Sequence, residues 1–306
     1  MSLEGTREVP PYGPEWFRNR ALASLKPIGN GTWDYSDSLL IYLPGADEEY
    51  EAIQEDESAY NRLVTVPERA YLESIANDLV SGLPNEFDYI DLGPGTEHKE
   101  QFVFDAARTQ GKTFTYIPVD ISEKYLRMAG KYAEAQGIAA VPLRAAFEEV
   151  AQKLGSAERP RFISLGLTYG NYESAQILEV LKGIAGPNGT TFINAHLRER
   201  TDIEALREIY ADVVPGLVAE KMRLLGVHGD SIAAYDTTDE IRVWCQLAET
   251  PPALERRGVA PGNRFLVLQS LRPSLGDLQQ ALVAKFTNVR LFDTGGPFVG
   301  AALANS

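Results

Sequence analysis

Two aspartates, each at the end of an apolar run, mark where chemistry is concentrated in this chain. Asp91 lies in FDYIDLG, which breaks into Gly-Pro-Gly-Thr-Glu-His, and Asp120 ends TYIPVD further along. An ionised carboxylate offers two acceptor oxygens, so one at a strand tip receives both hydroxyl hydrogens of a ribose. Gly93 and Gly95 let the backbone turn tightly and come close to a ligand. A lone G-x-G also makes a plain tight turn, and an aspartate before SEKYLRMA also makes a helix cap, although Ser122 is the better cap. Taken together, the loop and the two acids predict an adenosine-containing cofactor. Asp91, Gly93, Gly95, Thr96, Asp120 and Ile121 are expected around it, with Gly166 from a later strand end.

The remaining reactive side chains are sparse. Cys245, the sole cysteine, sits in the apolar run IRVWCQL and reads as core, with no disulfide or thiolate metal site open to it. His98, His196 and His228 form no H-x-x-x-H pair, so no zinc site is expected. The net charge of −14 and pI near 4.8 repel phosphate backbones, and no Lys/Arg cluster overrides them. No nucleic-acid partner is expected. No apolar run is long enough to span a bilayer and the N-terminus lacks signal-peptide zones, which predicts a cytoplasmic protein with no membrane partner. The oligomeric state is not legible.

The elements that must position these residues follow from periodicity. In 306 residues, 44% hydrophobic and 24% charged, there is room for one large domain or two unequal ones. PERAYLESIANDLVSGL has helical spacing from Pro67 to Gly82. Strands and helices then alternate: FDYIDLG, EHKEQFVFDAART, TFTYIPVD, SEKYLRMAGKYAEAQ, AAVPLRA, FEEVAQKL, RFISLGL, SAQILEVLKGIA, TTFINAHL. That order predicts an α/β fold with a parallel sheet covered on both faces. NVRLFDTGGPFVGAALA reads as an antiparallel pair. The loop-rich N-terminal segment and the long insertion after TTFINAHL, with its strand-like EIRVWCQLAE and RFLVLQSLR, are each other's obvious packing partners. They leave a cleft over the carboxyl edge of the sheet.

A nicotinamide dinucleotide and S-adenosylmethionine are the two common occupants of such a cleft. The dinucleotide fingerprint needs a small sixth residue where His98 stands, and Glu97 places negative charge where a pyrophosphate would lie. A methionine tail with its ammonium group accepts carboxylates nearby. Five parallel strands plus an antiparallel hairpin also resemble the Rossmann-like sheet of class I methyltransferases.

DLGPGTEHKE, YIPVDIS and LGLTYGNYE together resemble the histidine-specific methyltransferase family of the ergothioneine pathway, over roughly residues 65 to 197. The resemblance implies S-adenosylmethionine as cofactor and a substrate lobe built from the N-terminal segment plus the insertion. It implies that Asn171, flanked by Tyr169 and Tyr172, contacts the amino and carboxylate end of the substrate; a Gly-Asn turn closing a strand is the plainer alternative. The family's acid after the third strand is missing, since VPLRAAFEE offers Ala145 and Ala146. Its aromatic pair before T-R-x-E is represented by a displaced Tyr60 in AYNRLVTVPER. Its T-E-x-S strand falls on Val267, Leu268, Gln269 and Ser270, so the acid that grips an imidazole is replaced by Leu268. The VPPY at residues 9–12 has Val where the nucleobase methyltransferase motif needs an acceptor, and is a decoy.

The expectation is an S-adenosylmethionine-dependent N-methyltransferase for a small amine or amino-acid-like molecule, with histidine a poor substrate. A cofactor domain is expected over 65–197 plus 286–306, with a smaller α+β lobe over 1–64 plus 198–285. Tyr169, Asn171 and His196 are the expected catalytic acceptors; Tyr60, Asn171, Tyr172, Leu268 and Ser270 are expected on the substrate. A non-catalytic S-adenosylmethionine-binding module and an NAD-dependent oxidoreductase on the same fold are the alternatives.

Overall fold

The computed structural model describes residues 12–43, 47–54 and 58–304. After α1 (Pro14–Ser24), β1 (Lys26–Gly29) and β2 (Thr32–Asp34), helix α2 (Asp47–Gln54) leads to α3 (Val66–Ser81). The alternation follows as β3 (Glu86–Leu92), α4 (Gln101–Thr109), β4 (Thr113–Asp120), α5 (Glu123–Ala135), β5 (Leu143–Arg144), α6 (Phe147–Leu154), β6 (Arg161–Leu165), α7 (Ser174–Ala185) and β7 (Thr190–His196). Then come α8 (Ile203–Arg223), β8 (Ile232–Thr237), β9 (Arg242–Leu247), α9 (Pro252–Glu255), β10 (Arg264–Gln269), α10 (Leu275–Val283), β11 (Asn288–Asp293) and β12 (Phe298–Ala304).

Seven strands form one sheet in the order β11-β12-β7-β6-β3-β4-β5. β3 to β7 run parallel, and β12 is antiparallel to both β7 and β11. This is the class I methyltransferase arrangement. β3 lies between β4 and β6, so the winding reverses beside it and the carboxyl ends of these three strands open onto a crevice. β3 is covered on both faces, as its apolar run requires: Phe87 and Tyr89 join one core, Ile90 and Leu92 the other. Full burial of each is worth ~1.5–3 kcal/mol.

The second sheet has the order β1-β2-β10-β9-β8. Its β2–β10 pair is parallel, with Trp33 beside Phe265, so strands from the N-terminal segment and from the insertion share one ladder. Cys245 is buried in it with a free thiol. Among the described residues, no helix is long and apolar enough to cross a membrane.

Two elements differ from the sequence expectation near the site. Helix α4 starts at Gln101 rather than Glu97, because His98 takes a left-handed φ of 50° and stacks on Tyr132 with ring centroids 4.1 Å apart. Strand β5 is confined to Leu143–Arg144: Pro142 has no N–H to give a ladder, and Ala140 makes only an isolated bridge to Tyr116. Residues 9–11 of the VPPY stretch lie outside the described residues.

Candidate active site

Above the carboxyl ends of β3, β4 and β6 lies a cavity of about 1340 Å³ including its open mouth, and beside it a smaller one of about 440 Å³ that shares Gly93, Gly95, Tyr42, Tyr50 and Thr168 as walls.

The smaller chamber ends at Asp120 and Ile121. Asp120 Oδ1 accepts the Ser122 N–H at 2.8 Å, while Ser122 Oγ caps α5 by accepting from Tyr125 N–H. Burial pushes the Asp120 carboxyl up to about 6, against the pull of the Ser122 and Ile121 N–H groups. Gly93 and Gly95 have φ of 69° and 66°, and a Cβ on Gly95 would stand 2.6 Å from Glu97 Oε2. The left-handed turn therefore favours glycine at both positions, and at Gly95 a side chain would also have to displace the Glu97 carboxylate.

The chambers meet beside a set of buried acids. Asp91 accepts from Ser164 Oγ at 2.6 Å and Tyr116 Oη at 2.9 Å; burial, then neighbouring Glu100, raises it to about 7. Glu68, near the start of α3, accepts from Asn194 Nδ2 and from Lys99 Nζ, each at 2.8 Å. Glu97 and Glu100 also line this wall, and among the described lining residues Lys99 is the cation. Burial opposes the Lys99 charge, yet Glu68, Glu97 and Asp91 raise its pKa. Glu100 Oε2 and Asn194 Oδ1 are buried without a protein partner. A negative surplus with spare acceptors suits a cationic ligand carrying N–H donors. An adenosine bearing an ammonium tail fits this set: ribose at Asp120, tail near the acids.

The larger chamber brings together Tyr60, Asn171, Leu268 and Ser270 as the sequence suggests, and Gly166 joins them at the end of β6. Tyr210 of α8 completes this wall, its ring 6.3 Å from Tyr60 and its hydroxyl donating to Ser270 Oγ at 2.8 Å. Leu271 N–H bonds the Gly170 carbonyl at 2.6 Å, which locks the β10 exit against the turn carrying Asn171.

Four expected site residues lie elsewhere. Thr96 is not on the lining. Tyr169 points away from both chambers, its hydroxyl donating to Ser174 Oγ at 2.9 Å. Tyr172 faces the smaller chamber, 6.2 Å from the Phe147 ring, and so sits on the cofactor side rather than with the substrate. His196 is off the lining; Arg272 Nε donates to its Nδ1 at 3.2 Å, and burial, then Arg272, lowers it to about 3. It is neutral with its Nδ1 lone pair engaged, unfit as a base for the substrate. Sequence reading missed Tyr42, Tyr50, Glu68, Thr168, Asn194 and Tyr210. Glu68 was visible only as the acid following Pro67; nothing local distinguished Tyr210 from other helical aromatics.

A histidine N-alpha-methyltransferase of Mycobacterium tuberculosis is 27% identical over 113 residues, covering 35% of this chain and 35% of that protein. The enzyme of the same name from Mycolicibacterium smegmatis is 28% identical over 163 residues, covering 51% and 50%. The match thus spans half or less of the length of these curated relatives. A crystal structure of an S-adenosylmethionine-dependent methyltransferase from Clostridium acetobutylicum superposes with a TM-score of 0.47 at 13% identity, over 85% of this chain and 99% of that one. Residues 46–210, more than half of the chain, match one family along their length. The chain belongs to the family of histidine-specific, S-adenosylmethionine-dependent methyltransferases.

Proposed function

We propose that this chain transfers a methyl group from S-adenosylmethionine to the nitrogen of a small amine or amino-acid-like molecule. The carrying observation is the adjacency of the two chambers, which share the Gly93–Gly95 loop as a wall: a carboxylate at Asp120 lines one, and the acids around Asp91 and the polar wall of Asn171, Tyr210 and Ser270 line the other. The cofactor supplies an activated methyl carbon on a sulfonium, leaving the protein to align the two reactants and exclude water. Asp120 takes the ribose hydroxyls, and Gly93 and Gly95 admit close backbone approach. Asp91, Glu68 and Glu97 receive the ammonium. Tyr42 and Tyr50 close the space over the loop. Asn171 and Tyr60 orient the neutral amine, whose lone pair must face the cofactor. In this reading residues 65–197 with 286–306 hold the cofactor, and 1–64 with 198–285 supply most of the substrate wall.

The expectation that histidine is a poor substrate, drawn from Leu268, gains no support from the comparisons; both named relatives are histidine enzymes. Histidine therefore belongs in the substrate panel. The test is transfer of labelled methyl from S-adenosylmethionine to histidine, tryptophan, tyrosine and their decarboxylated amines. Transfer to at least one nitrogen is expected. Tight cofactor binding with no transfer to any of them would instead favour a non-catalytic binding module.

A further inference from the structure

Glu100 shares the wall of the larger chamber with Asp91, Glu68 and Glu97, and its side chain is 1% exposed. Its Oε1 faces His98 Nδ1 at 3.3 Å, while its Oε2 is buried without a partner among the described residues. His98 is itself fixed, by its left-handed backbone and by stacking on Tyr132, so the contact holds Glu100 with Oε2 turned away from the imidazole. Lys99 does not relieve it: that ammonium pairs with Glu68 at 2.8 Å and stands 3.9 Å from Glu97. Asn194 Oδ1 is a second idle acceptor on the same lining, but a neutral one. A buried carboxylate with one oxygen unmet is costly until a donor arrives, and a charged donor relieves it most.

Asp91 faces the same space. Burial, then the charge of Glu100, raises its carboxyl to about 7, against the hydrogen bonds from Ser164 and Tyr116. The other titratable and charged groups around the pair are Tyr89 on β3, Tyr116 on β4, Tyr132 on α5, Glu68 and Arg69 on α3, and Glu97, His98 and Lys99 in the loop, with Asp105 and Arg108 of α4 beyond Tyr132. Burial keeps Tyr89 and Tyr116 protonated, and Glu68 and Glu97 keep Lys99 charged despite its burial. Near neutral pH the wall of the empty protein therefore carries a proton on Asp91 in a large share of molecules.

We infer that Glu100 Oε2 is a ligand for the ammonium of the cofactor tail, and that the arriving ammonium expels a proton from the buried Asp91–Glu100 pair to solvent. A positive charge beside a carboxyl favours its ionised form, so one cation enters as the proton leaves and the wall keeps its charge balance. The inference rests on the S-adenosylmethionine reading above.

The test is calorimetric titration at about pH 7, in buffers of different ionisation enthalpy, with two ligands. S-adenosylhomocysteine carries the ammonium tail; 5′-methylthioadenosine has the same purine and ribose without it. On the native chain, S-adenosylhomocysteine should release about half a proton beyond the roughly one tenth that Asp120 gives up to either ligand. Glu100→Gln should weaken S-adenosylhomocysteine about tenfold, abolish the extra release and leave 5′-methylthioadenosine within about threefold. Asp91→Asn should also abolish the extra release. Equal proton counts for the two ligands on the native chain overturn the inference, as does an extra release that survives either substitution, or a Glu100→Gln variant that weakens both ligands alike. If a variant does not fold, the comparison on the native chain decides. Failure of both ligands to bind would refute the cofactor reading and the inference with it, whereas binding of both with equal proton counts removes the inference alone.

Discussion

Asp120 is buried in a way that opposes its charge, while the proposed ribose contact would need that charge. Asp120→Ala should weaken S-adenosylmethionine binding by ~1.5–3 kcal/mol, the worth of a charged hydrogen-bonding partner, while leaving the cooperative unfolding transition in place. Calorimetric titration checks this, and unchanged affinity would remove Asp120 from the site. The raised pKa adds a pH signature. Because the folded carboxyl titrates near 6 rather than at its usual 3.8, the empty protein gains stability from this group at low pH and loses it as pH rises through 6. In the proposed binding mode the ribose needs the ionised form, so cofactor binding should run the other way. Affinity should fall roughly tenfold between pH 7.5 and pH 5, and Asp120→Ala should flatten that part of the profile. Asp120 and Asp91 were legible because strand tips can be read from sequence. Glu68, Asn194 and Tyr210 were not, because their importance arises from the meeting of α3, β7 and α8, which periodicity does not reveal.

At the scale of elements, the β3–α4 connection is the part most tightly constrained. Gly95→Val would require a β-branched residue at a φ of 66° and place its Cβ against the Glu97 carboxylate. Loss of measurable cofactor binding is expected by calorimetry, and a structure of the variant with cofactor at full occupancy would refute the role given to the loop. The strands of the main sheet were readable from their apolar runs and the intervening helical periods. The late start of α4 was not, because EHKE suits a helix N-terminus locally and yields only to the stacking of His98 on Tyr132. His196 illustrates the same limit: its place at the end of β7 suggested chemistry, while its engagement by Arg272 depends on the segment after β10, distant in sequence.

Across the whole molecule, Lys221 joins three segments that sequence alone does not bring together. It is fully buried on α8, donates from Nζ to the Val267 carbonyl at 2.7 Å and the Asp37 carbonyl at 3.3 Å, and lies 4.8 Å from the centre of the Tyr35 ring. Burial lowers its amine to about 7, against the pull of Asp37 and Asp34. Between about 7 and its usual 10.5 the unfolded chain holds a proton that the folded one has released, so stability rises with pH across that window and is flat below it. Relative to Lys221→Met, the native chain should gain on the order of 2–3 kcal/mol between pH 7 and pH 9.5. Urea unfolding of both at the two pH values measures it, and parallel pH profiles would show that the two carbonyls hold the amine charged.

The parallel pairing of β2 with β10 also has a consequence in time. Trp33 finds its ladder partner in Phe265, so a strand made early waits for one made much later. At synthesis rates of ~5–20 residues per second, the interval is roughly 10–50 seconds. Over that interval the parallel strands β3 to β7 emerge and can pair among themselves, while Trp33 and Tyr35 have no finished surface to cover them. The wall that carries Leu268 and Ser270 is therefore completed after the crevice it faces, and a nascent chain halted before residue 264 would expose an aromatic strand suited to capture by a chaperone.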